Sequence, residues 1–144
     1  MKQSTKFSDV LHILLHMSMS SGPATSETLA KSAQTNPVVV RRILAGLREE
    51  GFVQSEKGHG GGWSLVRDLK EITLYDIYEA IDAPRILAIA NRTESPDCLV
   101  EQAVNTAMGN AFQEAEAILL ARFRDTTLAD LHRLIKKHHA KRKQ

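Results

Sequence analysis

Hydrophobic positions recur along most of the chain with a helical period, interrupted by one short stretch of different character. Val10, Leu11, Ile13, Leu14, Leu15 and Met17 fall on a wide apolar face and predict a core helix, capped by Ser8 and running to about Ser20. Ser21-Gly22-Pro23 is a turn signal, after which Ser26 can cap a short helix from Glu27 to about Ala33 with Leu29 and Ala30 inward. Asn36-Pro37 predicts the next helix start, because first-turn N–H groups lack intrahelical partners and proline has none to lose. Val40, Ile43, Leu44 and Leu47 form its apolar side, leaving Val38, Val39, Arg41, Arg42 and Arg48 on the flanks and outer face. Gly51 can adopt the left-handed conformation that closes this helix. Phe52-Val53 then opens a strand, the glycines at 58, 60, 61 and 62 mark a hairpin tip, and Trp63-Ser64-Leu65-Val66 is the return strand.

Beyond the hairpin, Ile72-Thr73-Leu74-Tyr75-Asp76-Ile77 carries a Thr-x-x-Asp cap, with Ile72 and Ile77 placed as a hydrophobic staple for a helix to about Ile81. Ala83-Pro84 ends it, and Arg92 to Pro96 is polar enough for a loop. From Leu99 to Arg124 a long helical pattern repeats Val100, Ala103, Val104, Ala107, Met108, Ala111, Phe112, Ala115, Ile118, Leu119 and Phe123 at three- and four-residue steps. That apolar face is larger than a small domain needs. Ala107, Gly109, Ala111 and Ala115 would allow a second helix to approach closely, as in a dimer seam; an intramolecular core helix is the alternative. Thr127 and Asp130 repeat the cap for a final helix, and Lys136 to Lys143 reads as a frayed basic tail. The expected class is mainly α with a small β wing. Residues 1–83 would be a winged helix-turn-helix domain, 84–135 a linker loop, long dimerisation helix and C-terminal helix, and 136–144 a basic tail.

Composition narrows the function. The chain has 144 residues, 42% hydrophobic and 25% charged, which is ordinary for a soluble globular protein. No apolar run nears the roughly 20 residues of a membrane helix, and the start has no secretory pattern, so a cytoplasmic protein without membrane partners is expected. One cysteine, Cys98, excludes an intrachain disulfide and a multi-cysteine metal site built from one chain. His12 and His16 have the i, i+4 spacing of a shared metal but no third ligand nearby, so surface or interface histidines are the simpler reading. The GHGGGW stretch lacks the Gly-Lys-Ser/Thr ending of a nucleotide-binding loop and connects two strands. No carboxylate pair, nucleophile elbow or ligand cluster suggests an enzyme.

The formal charge of +2 is unevenly spread. Met1 to Arg67 holds eight Lys/Arg against five Asp/Glu, Asp68 to Ile135 six against twelve, and the last nine residues five cations. A phosphate-bearing partner for the first half fits this. The helix opened by Pro37 would place its N-terminal half in the major groove of DNA. Arg41 and Arg42 could fork to guanine or hold phosphates, with Ser26, Asn36, Pro37, Val38 and Val39 completing the candidate contact face. Lys57 and His59 at the hairpin tip suit a minor-groove or phosphate contact, and Trp63 suits an anchor for the wing.

The segments NPVVVRRIL, LREEGFVQSEKGHGGGWSL, EITLYDIYEAID and TTLADL, in this order and spacing, resemble the bacterial winged-helix regulators grouped as IscR, NsrR, CymR and YwnA. The resemblance covers nearly the whole chain and is closest to the YwnA-like branch. It implies a homodimeric transcription factor, usually a repressor, whose long helices cross and whose wings straddle a palindromic operator in double-stranded DNA. Cluster-binding relatives hold an iron-sulfur cluster with three cysteines before the long helix. This chain offers only Cys98 there, so no cofactor is expected. At that place the helix dipole favours a thiolate while Asp97 and Glu101 oppose it, leaving a redox sensor and an inert packed thiol as alternatives. The effector, redox or small-molecule, is not identified by the sequence. The alternative to DNA reading is a dimerisation or protein-interaction module of the same fold.

Overall fold

The computed structural model of the chain describes residues 5–84, 86–87 and 97–144. Three helices open it: α1 (Lys6–Met19), α2 (Ser26–Ser32) and α3 (Pro37–Glu49). Val10, Ile13 and Leu14 of α1, Leu29 and Ala30 of α2, and Val40, Leu44 and Leu47 of α3 are all buried in one core. Two helix starts differ from the sequence expectation. Ser8 lies inside α1, which begins two residues earlier, and the hydroxyl of Thr5 donates to Asp9 at 3.0 Å. Thr25 caps α2, accepting from the Thr28 N–H at 3.1 Å, because it has the extended backbone a cap requires while Ser26 is already helical. Asn36 caps α3 as anticipated, its Oδ1 accepting from the Val39 N–H at 3.0 Å.

Gly51, at φ +80°, closes α3: the Phe52 N–H reaches back to the Leu47 carbonyl at 3.0 Å and turns the chain into the hairpin. Strands β1 (Val53–Glu56) and β2 (Gly62–Leu65) pair antiparallel, Val53 opposite Leu65 and Glu56 opposite Gly62. Ala24, in the connection between α1 and α2, adds a third strip, exchanging hydrogen bonds of 2.8 and 2.9 Å with Trp63. The wing is therefore sewn to the start of α2.

After a 3-10 turn at Leu69–Glu71 come α4 (Leu74–Ala80), α5 (Leu99–Asp125) and α6 (Leu128–Arg142). The two Thr-x-x-Asp segments are both complete capping boxes, and they lie side by side. Leu74 N–H donates to Thr126 O and Leu128 N–H to Ile72 O, each at 2.9 Å, so the α5–α6 corner is pinned beside the start of α4. Leu128 is wholly buried with Ile72 and Ile77 in the winged-helix core. Packing thus ties α6 to the N-terminal unit rather than separating it at residue 83. Residues 136–142 are helical within α6, so most of the expected frayed tail is an ordered continuation of that helix.

Helix α5 is attached mainly at its end. Phe123 meets the rings of Phe7 and Tyr78 at 5.3 and 6.1 Å, and Arg124 lies 4.0 Å over the ring of Tyr75. Burial, with Glu116 next in effect, pushes the Tyr78 phenol above its ordinary value; it stays a donor, bonding the Pro84 carbonyl at 2.9 Å. No residue of α5 is fully buried, and Leu99, Val100 and Ile118 are each more than 70% exposed. Among the described residues α5 thus adds no fully buried side chain to the core. The loop expected at Arg92 to Pro96 lies outside the described residues.

Candidate nucleic-acid interface

On α3, the buried Val40, Leu44 and Leu47 fix which side faces out. At 100° per residue, Val38 sits opposite that stripe, with Arg41 on one flank and Arg42 on the other. Val38 is 59% exposed, and both arginines are exposed. Asn36, Pro37 and Val39 form the first turn beneath them: Asn36 is exposed but its side chain is used in the cap, while Pro37 and Val39 are half-buried. The outward surface of the first two turns is thus a small apolar centre between two guanidinium groups, a size and chemistry suited to base edges and phosphates in a major groove.

The two arginines have different surroundings. The Arg41 guanidinium lies 3.2 Å from Glu27 on α2, a pair open to water on both sides and therefore weak. A phosphate or guanine edge can replace Glu27 at little cost. Arg42 edges a cleft of about 270 Å³ between the start of α1, the second half of α3 and the end of α4, shared with Lys6, Glu49, Glu50 and Asp82.

The wing stands beside this face. Lys57 and His59 are exposed at its tip, where Gly58 and Gly60 adopt φ of +94° and +75° to turn the chain. Gly62 has a different constraint: a Cβ there would lie 2.6 Å from the Ala24 carbonyl oxygen, so only glycine lets the wing lie against the α1–α2 connection. Trp63 then packs between the helices and the wing, its indole N–H donating to Ser26 Oγ at 3.2 Å, with Arg48 5.7 Å over its ring. Arg48 also reaches Ser55 on β1 at 3.4 Å.

Ser26 requires a correction. It is 6% exposed and its hydroxyl is occupied by Trp63, so it neither caps α2 nor presents a side chain to DNA; it holds the wing in place. Arg48 and Glu27 were missed as partners of the site. Arg48 follows Arg41 by seven residues, two helical turns, a spacing that puts both on one side of α3. Glu27 carried no comparable signal, because its role depends on how α2 crosses α3. Cys98 is exposed at the N-cap of α5 and its thiol makes no capping bond. His12 is exposed and His16 half-buried on α1, and among the described residues no three His, Cys, Asp or Glu side chains converge as a metal site.

Residues 3–133 match the Rrf2 family, described as iron-dependent transcriptional regulators. YwnA of Bacillus subtilis (strain 168), a candidate HTH-type transcriptional regulator, is 28% identical over 128 residues, covering 89% of this chain and 95% of that protein. Among solved structures, IscR of T. potens superposes with a TM-score of 0.70 at 21% identity, covering 96% of this chain and 90% of that one. CymR, the global cysteine regulator of B. subtilis, superposes at 0.61 with 22% identity over 93% and 98% of the two chains. These two structures share the winged-helix fold of α1 to α6.

The iron in the family's description finds no matching thiolate set here. Iron-sulfur clusters are held by several cysteines, and the chain has Cys98 alone. No helix among the described residues is long and apolar enough to cross a membrane. The match over residues 3–133, the helix-turn-helix with its sewn-on wing and the long α5 agree, and the chain belongs to the Rrf2 family of transcriptional regulators.

Proposed function

We propose that this regulator acts as a homodimer that binds a two-fold symmetric operator in double-stranded DNA, usually to repress, with α3 of each protomer in a major groove and each wing against the flanking minor groove. The observation that carries the DNA contact is the outward face of α3, where Val38 stands between Arg41 and Arg42 beside a wing tip bearing Lys57 and His59. What supports the pairing is α5, whose Leu99, Val100, Val104 and Ile118 are exposed apolar side chains among the described residues. Seating a second α5 on that face would bury them and fix the distance between the two recognition helices. Any signal acts by changing that distance or angle. The test is selection of bound duplexes from a random pool: enrichment of a sequence with two inverted half-sites about one or two helical turns apart supports the reading. A folded protein that enriches nothing would return it to an interaction module that reads no DNA.

The regulator is further proposed to work without a bound cluster, the signal entering through a small ligand or through Cys98. In the second case, attack of the Cys98 thiolate on peroxide forms the sulfenic acid and releases hydroxide, at the first turn of the helix that sets the dimer. Loss of DNA binding on oxidation in the wild type, retained binding in Cys98→Ser, supports a thiol switch. Binding indifferent to peroxide removes it and leaves the small ligand.

A further inference from the structure

The last fourteen residues of the chain carry six Lys/Arg and no acid. Without them the protein would hold thirteen cations against seventeen acids, so this segment adds to the cation excess of Met1 to Arg67 and turns the net charge positive. The structure makes the segment more than a loose tail: α6 runs unbroken to Arg142. Leu128, Leu131 and Ile135 form its inward side. Opposite them, Arg133, Lys137 and Lys141 follow at four-residue steps, about 6 Å apart along the axis, with Lys136 on the flank and Lys143 at the C-cap. Every residue after Ile135 is exposed. Among the described residues, only Arg133 of this segment has an acid beside it, Asp130, one turn back. The negative end of the helix dipole favours this cationic terminus as a helix, so the charges are held on an ordered rod without an acidic partner on α6 beyond Asp130.

Its placement is also fixed. His132 Nδ1 lies 3.2 Å from Ser18 Oγ, at the C-terminal end of α1. That is the end from which the chain passes into α2 and at which Ala24 pairs with Trp63 of the wing. The cationic turns of α6 therefore begin beside the end of α1 that leads into this connection.

We propose that the C-terminal half of α6 is a second phosphate-binding surface, which grips the duplex backbone outside the half-site read by α3. This rests on the DNA reading above. It assigns the two surfaces different work: α3 and the wing choose the sequence, and α6 supplies sequence-independent attraction, offsetting the net negative charge of the rest of the chain.

The test uses the full chain and a variant with Lys136, Lys137, Lys141, Arg142 and Lys143 all replaced by Gln, a good helix former, with circular dichroism to confirm that α6 is kept. Anisotropy is measured across a salt series on a random-sequence 40-base-pair duplex and on an operator duplex from the selection. The proposal predicts a salt slope smaller by about 3 and random-duplex binding at least about 10-fold weaker, with the ratio of operator to random binding kept. Arg41→Ala/Arg42→Ala should do the reverse, losing the ratio. An unchanged slope in the folded Gln variant overturns the α6 surface while leaving the α3 reading standing. Wild-type protein that binds neither duplex overturns both, and tighter, α6-dependent binding to a single-stranded RNA of equal length reassigns the surface to RNA.

Discussion

The indole N–H of Trp63 reaches across 3.2 Å to the hydroxyl of Ser26, joining the return strand of the wing to the first turn of α2. Ser26 is buried and Arg48 of α3 covers the ring from another side, so three elements of the DNA-facing unit share one side chain. Trp63→Phe keeps most of the packing but orphans the Ser26 hydroxyl. It should cost about 1 kcal/mol in stability and loosen the wing. Denaturant unfolding together with hydrogen exchange at residues 53–65 measures both; protection unchanged throughout the wing would show that packing alone holds it.

Two glycines of the same hairpin compare conformational strain alone with strain plus collision. Gly58, at φ +94°, has open space where an alanine methyl would lie, so Gly58→Ala should cost about 1 kcal/mol for the left-handed backbone alone. Gly62→Ala, at φ +149°, adds to backbone strain a methyl 2.6 Å from the Ala24 carbonyl oxygen and should cost more, about 2–3 kcal/mol, by forcing the wing off the α1–α2 connection. Equal losses in urea unfolding would argue that the Ala24–Trp63 pairing contributes little.

The α6 cap makes a pH-dependent contribution. The Thr127 backbone N–H, with the Thr127 hydroxyl and Arg133 adding to it against some desolvation, holds the Asp130 carboxyl below its ordinary value of 3.8. A carboxylate with a depressed folded-state value stabilises the fold above its ordinary value, and that contribution is lost as pH falls through the depressed one. The wild-type Tm should therefore fall further between pH 5 and pH 2 than that of Asp130→Asn. Parallel curves would remove the cap from the acid sensitivity of the fold.

Helix α5 gives a prediction about assembly. Ile118 is 74% exposed in the single chain, so Ile118→Glu changes nothing in the protomer's own core. If the apolar face of α5 is the dimer seam, that substitution should yield a folded monomer by sedimentation, with an unchanged far-ultraviolet spectrum. A variant that remains dimeric would place the seam elsewhere.

Much of this architecture was legible in the residues. The Asn36-Pro37 start, the glycine-marked hairpin and the paired Thr-x-x-Asp caps are local signals, and each formed where the sequence put it. What local reasoning missed depended on contacts between distant segments. Ser26 looked like a cap because its residue type suits one, but the backbone at Thr25 took that role and left Ser26 to Trp63. The 73–127 bridge, which draws α6 into the core, joins stretches more than fifty residues apart and leaves no periodic trace. Continuation of α6 through the basic segment was hidden for another reason: a run of like charges reads as disorder, while the C-terminal end of a helix accommodates cations.

The exposed pair of Arg41 and Glu27 leads to the most direct measurement. Because both partners are open to solvent, losing Arg41 should change stability by no more than about 1 kcal/mol, so its effect on DNA is separable from folding. Anisotropy of the wild type and of Arg41→Ala/Arg42→Ala, on DNA from upstream of the protein's own gene and on a scrambled duplex at two salt concentrations, tests the claim that α3 reads sequence. The account predicts salt-sensitive, sequence-selective binding by the wild type and loss of about 1–3 kcal/mol per arginine in a variant that remains folded and dimeric. Equal binding of both duplexes by both proteins would contradict it.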